Sequence, residues 1–121
     1  MNNKQLGTEF EQEMCRLLKD QGMWVHFMTP DATGSQPFDI IAVKNTCAVA
    51  IDCKTSAKPI FSLDRLEWNQ KLAFALWRKA GNGEGLIAVK YDAQIYFIEF
   101  GELETAKKID LREIEPWGGE L

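Results

Sequence analysis

Apolar residues recur along this chain in two rhythms, and the switches between them mark out the elements. From Lys4 to Asp20, Leu6, Phe10, Met14, Leu17 and Leu18 share one stripe at helical spacing, which predicts an amphipathic helix ended by Gly22. Trp24 to Met28 reads as a first strand, and the polar, turn-rich TPDATGSQ after it reads as a loop able to lie over a site. Phe38 to Val43 and Cys47 to Lys54 are rich in Ile, Val and Ala, with Lys44, Asn45 and Thr46 as the only turn signal between them, so they form a hairpin. An extended connection broken by Pro59 leads to a second helix, Arg65 to Ala80, with Asp64 as its expected cap and Leu63 expected to staple onto Trp68. Leu66, Ala73, Leu76, Trp77 and Ala80 trace its predicted buried stripe, and Gln70 falls on that stripe, where its amide requires a polar partner. Gly81, Asn82 and Gly83 stop the helix. Gly85 to Lys90 and Gln94 to Phe100 follow as two strands about a turn at Tyr91, Asp92 and Ala93. The remaining tail carries a short strand or helix near Ile109 to Ile114, and Trp117 reads as a packing anchor or subunit contact.

The order helix, three strands, helix, two strands predicts an α/β fold with a mixed central sheet flanked by helices. The Cys47 strand, the second helix and the Leu86 strand form a crossover, expected to be right-handed and parallel. A chain of 121 residues is sized for one domain, spanning 1–121. At 45% hydrophobic and 26% charged residues its composition is that of an ordinary globular protein. The first residues hold no apolar run, so neither a leader nor a membrane span is expected, and a cytoplasmic location is. Cys15, Cys47 and Cys53 are odd in number and form no CxxC pair, which fits reduced thiols. With His26 as the only histidine, a zinc site is not expected.

Hairpin register concentrates the chemistry. If Asn45 and Thr46 are the two loop residues, Lys44 pairs with Cys47, and counting back sets Asp39 opposite Asp52, on one face with Cβ atoms roughly 5 Å apart. Alternation adds Lys54 to that face and turns Val49, Ile51 and Cys53 to the other. Facing carboxylates repel, so the pair requires a cation or a retained proton. Mg²⁺, which takes oxygen from one or two carboxylates, is a natural occupant. Lys54 would then stand where it can position a nucleophile or neutralise charge on a phosphate. An ion pair between Lys54 and Asp52 on a solvated sheet face is the competing reading.

An aspartate opening one strand and Asp-x-Lys ending the next, here Asp39 and Asp52-Cys53-Lys54, resemble the PD-(D/E)XK nuclease superfamily, with Pro37, Phe38 and Asp39 standing for the first half of the motif. The adjacent Pro30 and Asp31 are rejected for that role, because Asp31 precedes a loop. GTEFE from Gly7 is similar to the opening of Holliday-junction resolvases, which favours Glu11 over Glu9 and Glu13 as a further acid at the site; periodicity alone leaves Glu11 and Glu13 equivalent. AGNGEGLIAV is similar to a resolvase turn and strand, while FSLDRLEWNQ and IYFIEF resemble segments of the bacterial RecU type. The resemblance covers about residues 4 to 100 and implies a restriction-endonuclease-like αβββαβ core. It further implies Mg²⁺, with Mn²⁺ as a substitute, held by Glu11, Asp39, Asp52 and the backbone carbonyl of Cys53. Lys54 would orient the nucleophile, Gln70 would reach back to the site, and DNA, a four-way junction in particular, would be cut by a homodimer. Only about ten residues separate the first strand from the Asp39 strand, which leaves no room for a projecting stalk.

Charge pulls the other way. A net charge of −4 gives no broad electrostatic grip on nucleic acid. Basic residues nevertheless gather between Lys54 and Lys79, where Lys58, Arg65 and Lys71 are candidate nucleic-acid contacts, and Ser35 and Gln36 in the preceding loop are candidate phosphate contacts. Three readings remain open: a resolvase, another DNA nuclease of restriction or end-processing type, and a catalytically idle nuclease-like binding module.

Overall fold

A computed structural model describes residues 2–29 and 36–121. Helix α1 (Asn3–Asp20) is followed by strands β1 (Trp24–Phe27), β2 (Ile40–Lys44) and β3 (Cys47–Thr55), a short strand β4 (Ile60–Ser62) and helix α2 (Trp68–Lys79). Strands β5 (Leu86–Tyr91) and β6 (Gln94–Glu99), helix α3 (Phe100–Ala106) and strand β7 (Lys108–Asp110) complete the chain. Five strands form one mixed sheet in the order β1-β2-β3-β5-β6, and β4 pairs with β7 in a small second sheet. Among the described residues only β3 and β5 run parallel, with α2 in the crossover between them, as the strand-helix-strand pattern predicts.

The predicted hairpin register is the observed one. Lys44 pairs with Cys47, and Asn45 and Thr46 have φ of 53° and 66°, the left-handed pair of a type I′ turn. Asp92 and Ala93, at 50° and 62°, close the β5–β6 hairpin in the same way.

Alternation along β3 separates two cores. Ile51 and Cys53 join Ile40, Ala42 and the α1 residues Phe10, Met14 and Leu18 on one face. Ala50 faces the other layer, with Phe38, Phe61, Phe74, Ile87, Val89 and Phe100. Gly85 is required there, because a Cβ at that position would lie 2.0 Å from the Phe74 ring.

Several expectations need correction. Helix α2 begins at Trp68 rather than Arg65, since Leu63–Arg65 closes a 3-10 turn and Leu66 is extended; Glu67, not Asp64, is the cap. The later start fixes the buried face on Gln70 and Phe74, flanked by Ala73 and Trp77, while Leu76 and Ala80 turn outward. Trp68 is 76% exposed and so is not the buried half of a staple. Leu6 of α1 is exposed as well. Helix α3 and the β4–β7 pair were not expected. Trp117 is a packing anchor: its ring meets Phe97 edge-on at 5.2 Å and its backbone N–H donates to the Ile95 carbonyl at 2.6 Å. Among the described residues, no helix is long and apolar enough to cross a membrane.

Candidate active site

The hairpin and the crossover bring the chemistry to the end of β3. Asp39, one residue ahead of β2, is held by its backbone on both sides: its N–H donates to the Ile51 carbonyl at 3.1 Å, and its carbonyl accepts from Met28 N–H at 2.7 Å. That places it across from Asp52 in the β2–β3 register. Its Oδ2 accepts the Cys53 N–H at 2.8 Å, so one carboxylate oxygen is tied to the strand that carries the second acid.

Asp52 is fully buried. Its Oδ1 accepts from Gln70 Nε2 at 2.9 Å, whereas Oδ2 lies 3.3 Å from Lys54 Nζ in an ion pair. Burial, and then the charge of Asp39, push the Asp52 carboxyl well above the ordinary range, against the opposing pull of Lys54.

Gln70 joins the two strand residues. Its Oε1 accepts from Glu67 N–H at 3.0 Å and from Lys54 Nζ at 3.3 Å, which leaves Nε2 to donate to Asp52. The first turn of α2 thus fixes which end of the amide meets the carboxyl. The polar residue that the helical stripe singled out has the partners its burial demands.

The two glutamates of α1 have separate environments. Glu13 is paired with Lys90 at 2.5 Å. Glu11 is half-buried, and its carboxyl is pushed up to about 7, by burial first and then by the charge of Asp39, with Lys54 opposing. Packing therefore separates two residues that the helical period leaves equivalent. Burial also raises the Cys53 thiol well above its ordinary range, so its side chain stays neutral.

Among the described residues, no three His, Cys, Asp or Glu side chains are gathered as a ready metal cluster. Asp39 and Asp52 are paired, and Glu11 is near enough to feel Asp39 and Lys54 without joining them. The donor set nevertheless suits a hard divalent cation: two adjacent carboxyls, one with a fully buried oxygen whose partner is the Lys54 ammonium 3.3 Å away.

Of the candidate nucleic-acid contacts, Lys58 is exposed on the β3–β4 connection, where the Ser56 hydroxyl braces its backbone. Arg65 donates from Nη2 to the Thr55 carbonyl at 2.8 Å and lies over the Phe61 ring at 5.3 Å. Lys71 is partly buried on α2. Asp31 and Ser35 lie outside the described residues; the Gln36 carbonyl accepts from Asn69 Nδ2 at 3.1 Å. Pattern reading missed Thr55, whose carbonyl anchors Arg65, because a backbone acceptor leaves no sequence signal.

Titration of Glu11 has a readable sign. Its carboxyl ionises near 4.5 when unfolded and near 7 when folded, so its contribution to metal-free stability is complete below about 4.5 and is lost as pH rises through 7. Glu11→Gln is expected to shrink the fall in Tm between pH 5 and pH 8, measured in chelator. An unchanged fall would contradict the placement of Glu11 beside Asp39.

The chain is similar to known proteins in sequence and in fold. The sequence model of the archaeal Holliday junction resolvase (Hjc) family matches residues 2–116. The crossover junction endodeoxyribonuclease Hjc of Methanocaldococcus jannaschii is 28% identical over 102 residues, covering 84% of this chain and 71% of that protein. The crystal structure of Archaeoglobus fulgidus Hjc, a Holliday junction resolvase, superposes with a TM-score of 0.68 at 24% identity, over 86% of this chain and 88% of that one. At that identity the structural likeness speaks for the fold, a mixed sheet between helices.

Proposed function

The chain belongs to the archaeal Holliday junction resolvase family, and on that premise we propose that it is a divalent-metal-dependent endonuclease that cuts four-way DNA junctions. One observation carries the proposal: two carboxyls face each other across the β2–β3 hairpin, with a buried Asp52 oxygen whose partner is the Lys54 ammonium 3.3 Å away. A structural ion pair alone would not require the second acid.

Mg²⁺, or Mn²⁺ in its place, held by Asp39 and Asp52 with further oxygens from Glu11 and the Cys53 carbonyl, would supply Lewis-acid polarisation of the scissile phosphate. Lys54 aligns the attacking water by hydrogen bonding and offsets negative charge as it builds on the phosphoryl oxygens. Gln70 acts on both neighbours, holding the Asp52 carboxyl through Nε2 and the Lys54 ammonium through Oε1. Glu11 is poised to gain or lose a proton near neutrality, so it can give up its proton as a cation arrives. Lys58, Arg65 and Lys71 carry the DNA strand past the site. The reaction belongs in the cytoplasm with the DNA.

A junction presents two equivalent strands to be cut, which calls for two sites related by symmetry. Trp68, Leu72 and Leu76 are exposed at successive four-residue steps along α2, and this apolar stripe supports a homodimer that joins two copies. Trp68→Glu with Leu76→Glu is expected to halve the mass seen by sedimentation while leaving the circular dichroism of the fold unchanged. An unaltered mass would place the interface elsewhere.

The substrate test is cleavage of a labelled four-way junction beside a matched linear duplex, with Mg²⁺. Cutting of the junction alone is the expected result. Equal cutting of both would overturn the junction assignment in favour of a general nuclease, and binding without cutting would leave a binding module.

A further inference from the structure

We infer that the cleft between Gly7 and Arg65 seats the phosphate next to the scissile one, with Arg65 as its clamp and the bare backbone at Gly7 as the clearance that lets the strand pass. This rests on the nuclease reading above and extends it to residues that the acid pair does not involve.

The cleft, about 590 Å³, is lined by Leu6 and Gly7 of α1, by Lys54, Thr55 and Ser56, and by Arg65. It therefore runs from the reacting end of the site, at Lys54, out between the start of α1 and the β3–β4 connection. Gly7 lies inside α1, where glycine weakens a helix relative to alanine. Neither of the usual reasons for glycine applies to it. Its φ is not left-handed, and a Cβ built there meets nothing within 4 Å. The protein's own packing leaves room for a methyl group that would strengthen the helix, and that room opens into the cleft.

Arg65 is ordered before any ligand arrives. One nitrogen is fixed to the Thr55 carbonyl and the guanidinium rests on Phe61, while among the described residues no carboxylate is ion-paired with it. An exposed, pre-oriented guanidinium with unused donors matches a phosphate diester, which accepts two parallel N–H bonds. Lys54 is assigned to the scissile phosphate itself, beside Asp52 and Gln70, which leaves the neighbouring phosphate to Arg65.

Two variants pull stability and function apart. Gly7→Ala is expected to raise Tm by roughly 3 °C and to weaken junction binding about tenfold, with the loss in cleavage falling mainly on KM. Arg65→Gln is expected to reduce the slope of log K against log salt by about 1, whereas Arg65→Lys keeps that slope because the charge is retained. Binding is measured in chelator and cleavage with Mg²⁺, so the two claims separate. A wild type that cuts junctions, with both variants binding and cutting like it, would overturn the inference and leave the nuclease reading intact. A wild type that binds without cutting, with both variants weakened as described, would support the cleft and remove the nuclease reading. A wild type that does not bind the junction overturns both.

Discussion

Asp52→Asn is expected to lower cleavage about 1,000-fold or more, while the metal-free protein becomes at least as stable as the wild type. The two effects have one origin. In the folded chain the Asp52 carboxyl is wholly buried beside Asp39, and burial and the Asp39 charge outweigh the Lys54 ammonium 3.3 Å from its Oδ2. Its folded pKa is raised, so its contribution to stability is complete below its ordinary value of 3.8 and is lost as pH climbs towards the folded value. Asparagine does not titrate. It can still accept the Gln70 Nε2 hydrogen bond through its oxygen and can donate its amide hydrogens towards the Asp39 carboxylate. What it lacks is the negative oxygen that a hard cation requires. Thermal melts in chelator from pH 5 to pH 8, beside junction cleavage with Mg²⁺, check both halves. A folded variant that cuts at the wild-type rate would refute the site, and one that melts well below the wild type without metal would show that the carboxylate has a structural role.

Lys54→Ala is expected to remove most of the activity, about 100-fold or more, while metal binding survives. The Lys54 side chain is 20% exposed, between a buried interior and the cleft, with Asp52 Oδ2 and Gln70 Oε1 each 3.3 Å from its ammonium. Removing it takes away the cation proposed to face the developing phosphoryl charge, yet both carboxyls stay in place. Because Lys54 also holds down the Glu11 and Asp52 carboxyls, its loss should carry the Glu11 titration further above neutrality, a shift readable by carboxyl chemical shifts in NMR. Loss of calorimetric metal binding in this variant would mean that Lys54 organises the acids rather than acting on substrate.

The parts of this site fixed by short-range rules were legible in the sequence. Asn45 and Thr46 set the turn, the turn sets the register, and the period of two then carries Asp39 to Asp52 and Lys54 to their face without further information. Gln70 was legible for a related reason, as a polar residue on an apolar stripe. Other features depend on partners distant in sequence. Glu11 and Glu13 differ because Lys90, 77 residues beyond Glu13, captures one of them. The start of α2 was misplaced because a 3-10 turn at Leu63–Arg65 competes locally with helix, and burial of Leu66 stabilises the extended break. Strand β4, three residues long, carries too little alternation to register as a pattern, and β7 was legible only as a short strand or helix near Ile109 to Ile114; pairing with each other is what makes them strands. Helix α3 was hidden because the apolar run of β6 continues into Phe100, whose N–H still bonds the Gly85 carbonyl in register with the β5–β6 ladder.

The central claim is that the Asp39–Asp52 pair holds a catalytic divalent cation, and calorimetric titration of Mg²⁺ into the wild type and Asp52→Asn tests it most directly, with the same samples then given a labelled four-way junction and a duplex. The account predicts binding that is lost with Asp52 and cutting of the junction by the wild type alone. Equal Mg²⁺ binding by both proteins, or junction cutting that survives the substitution, would contradict it.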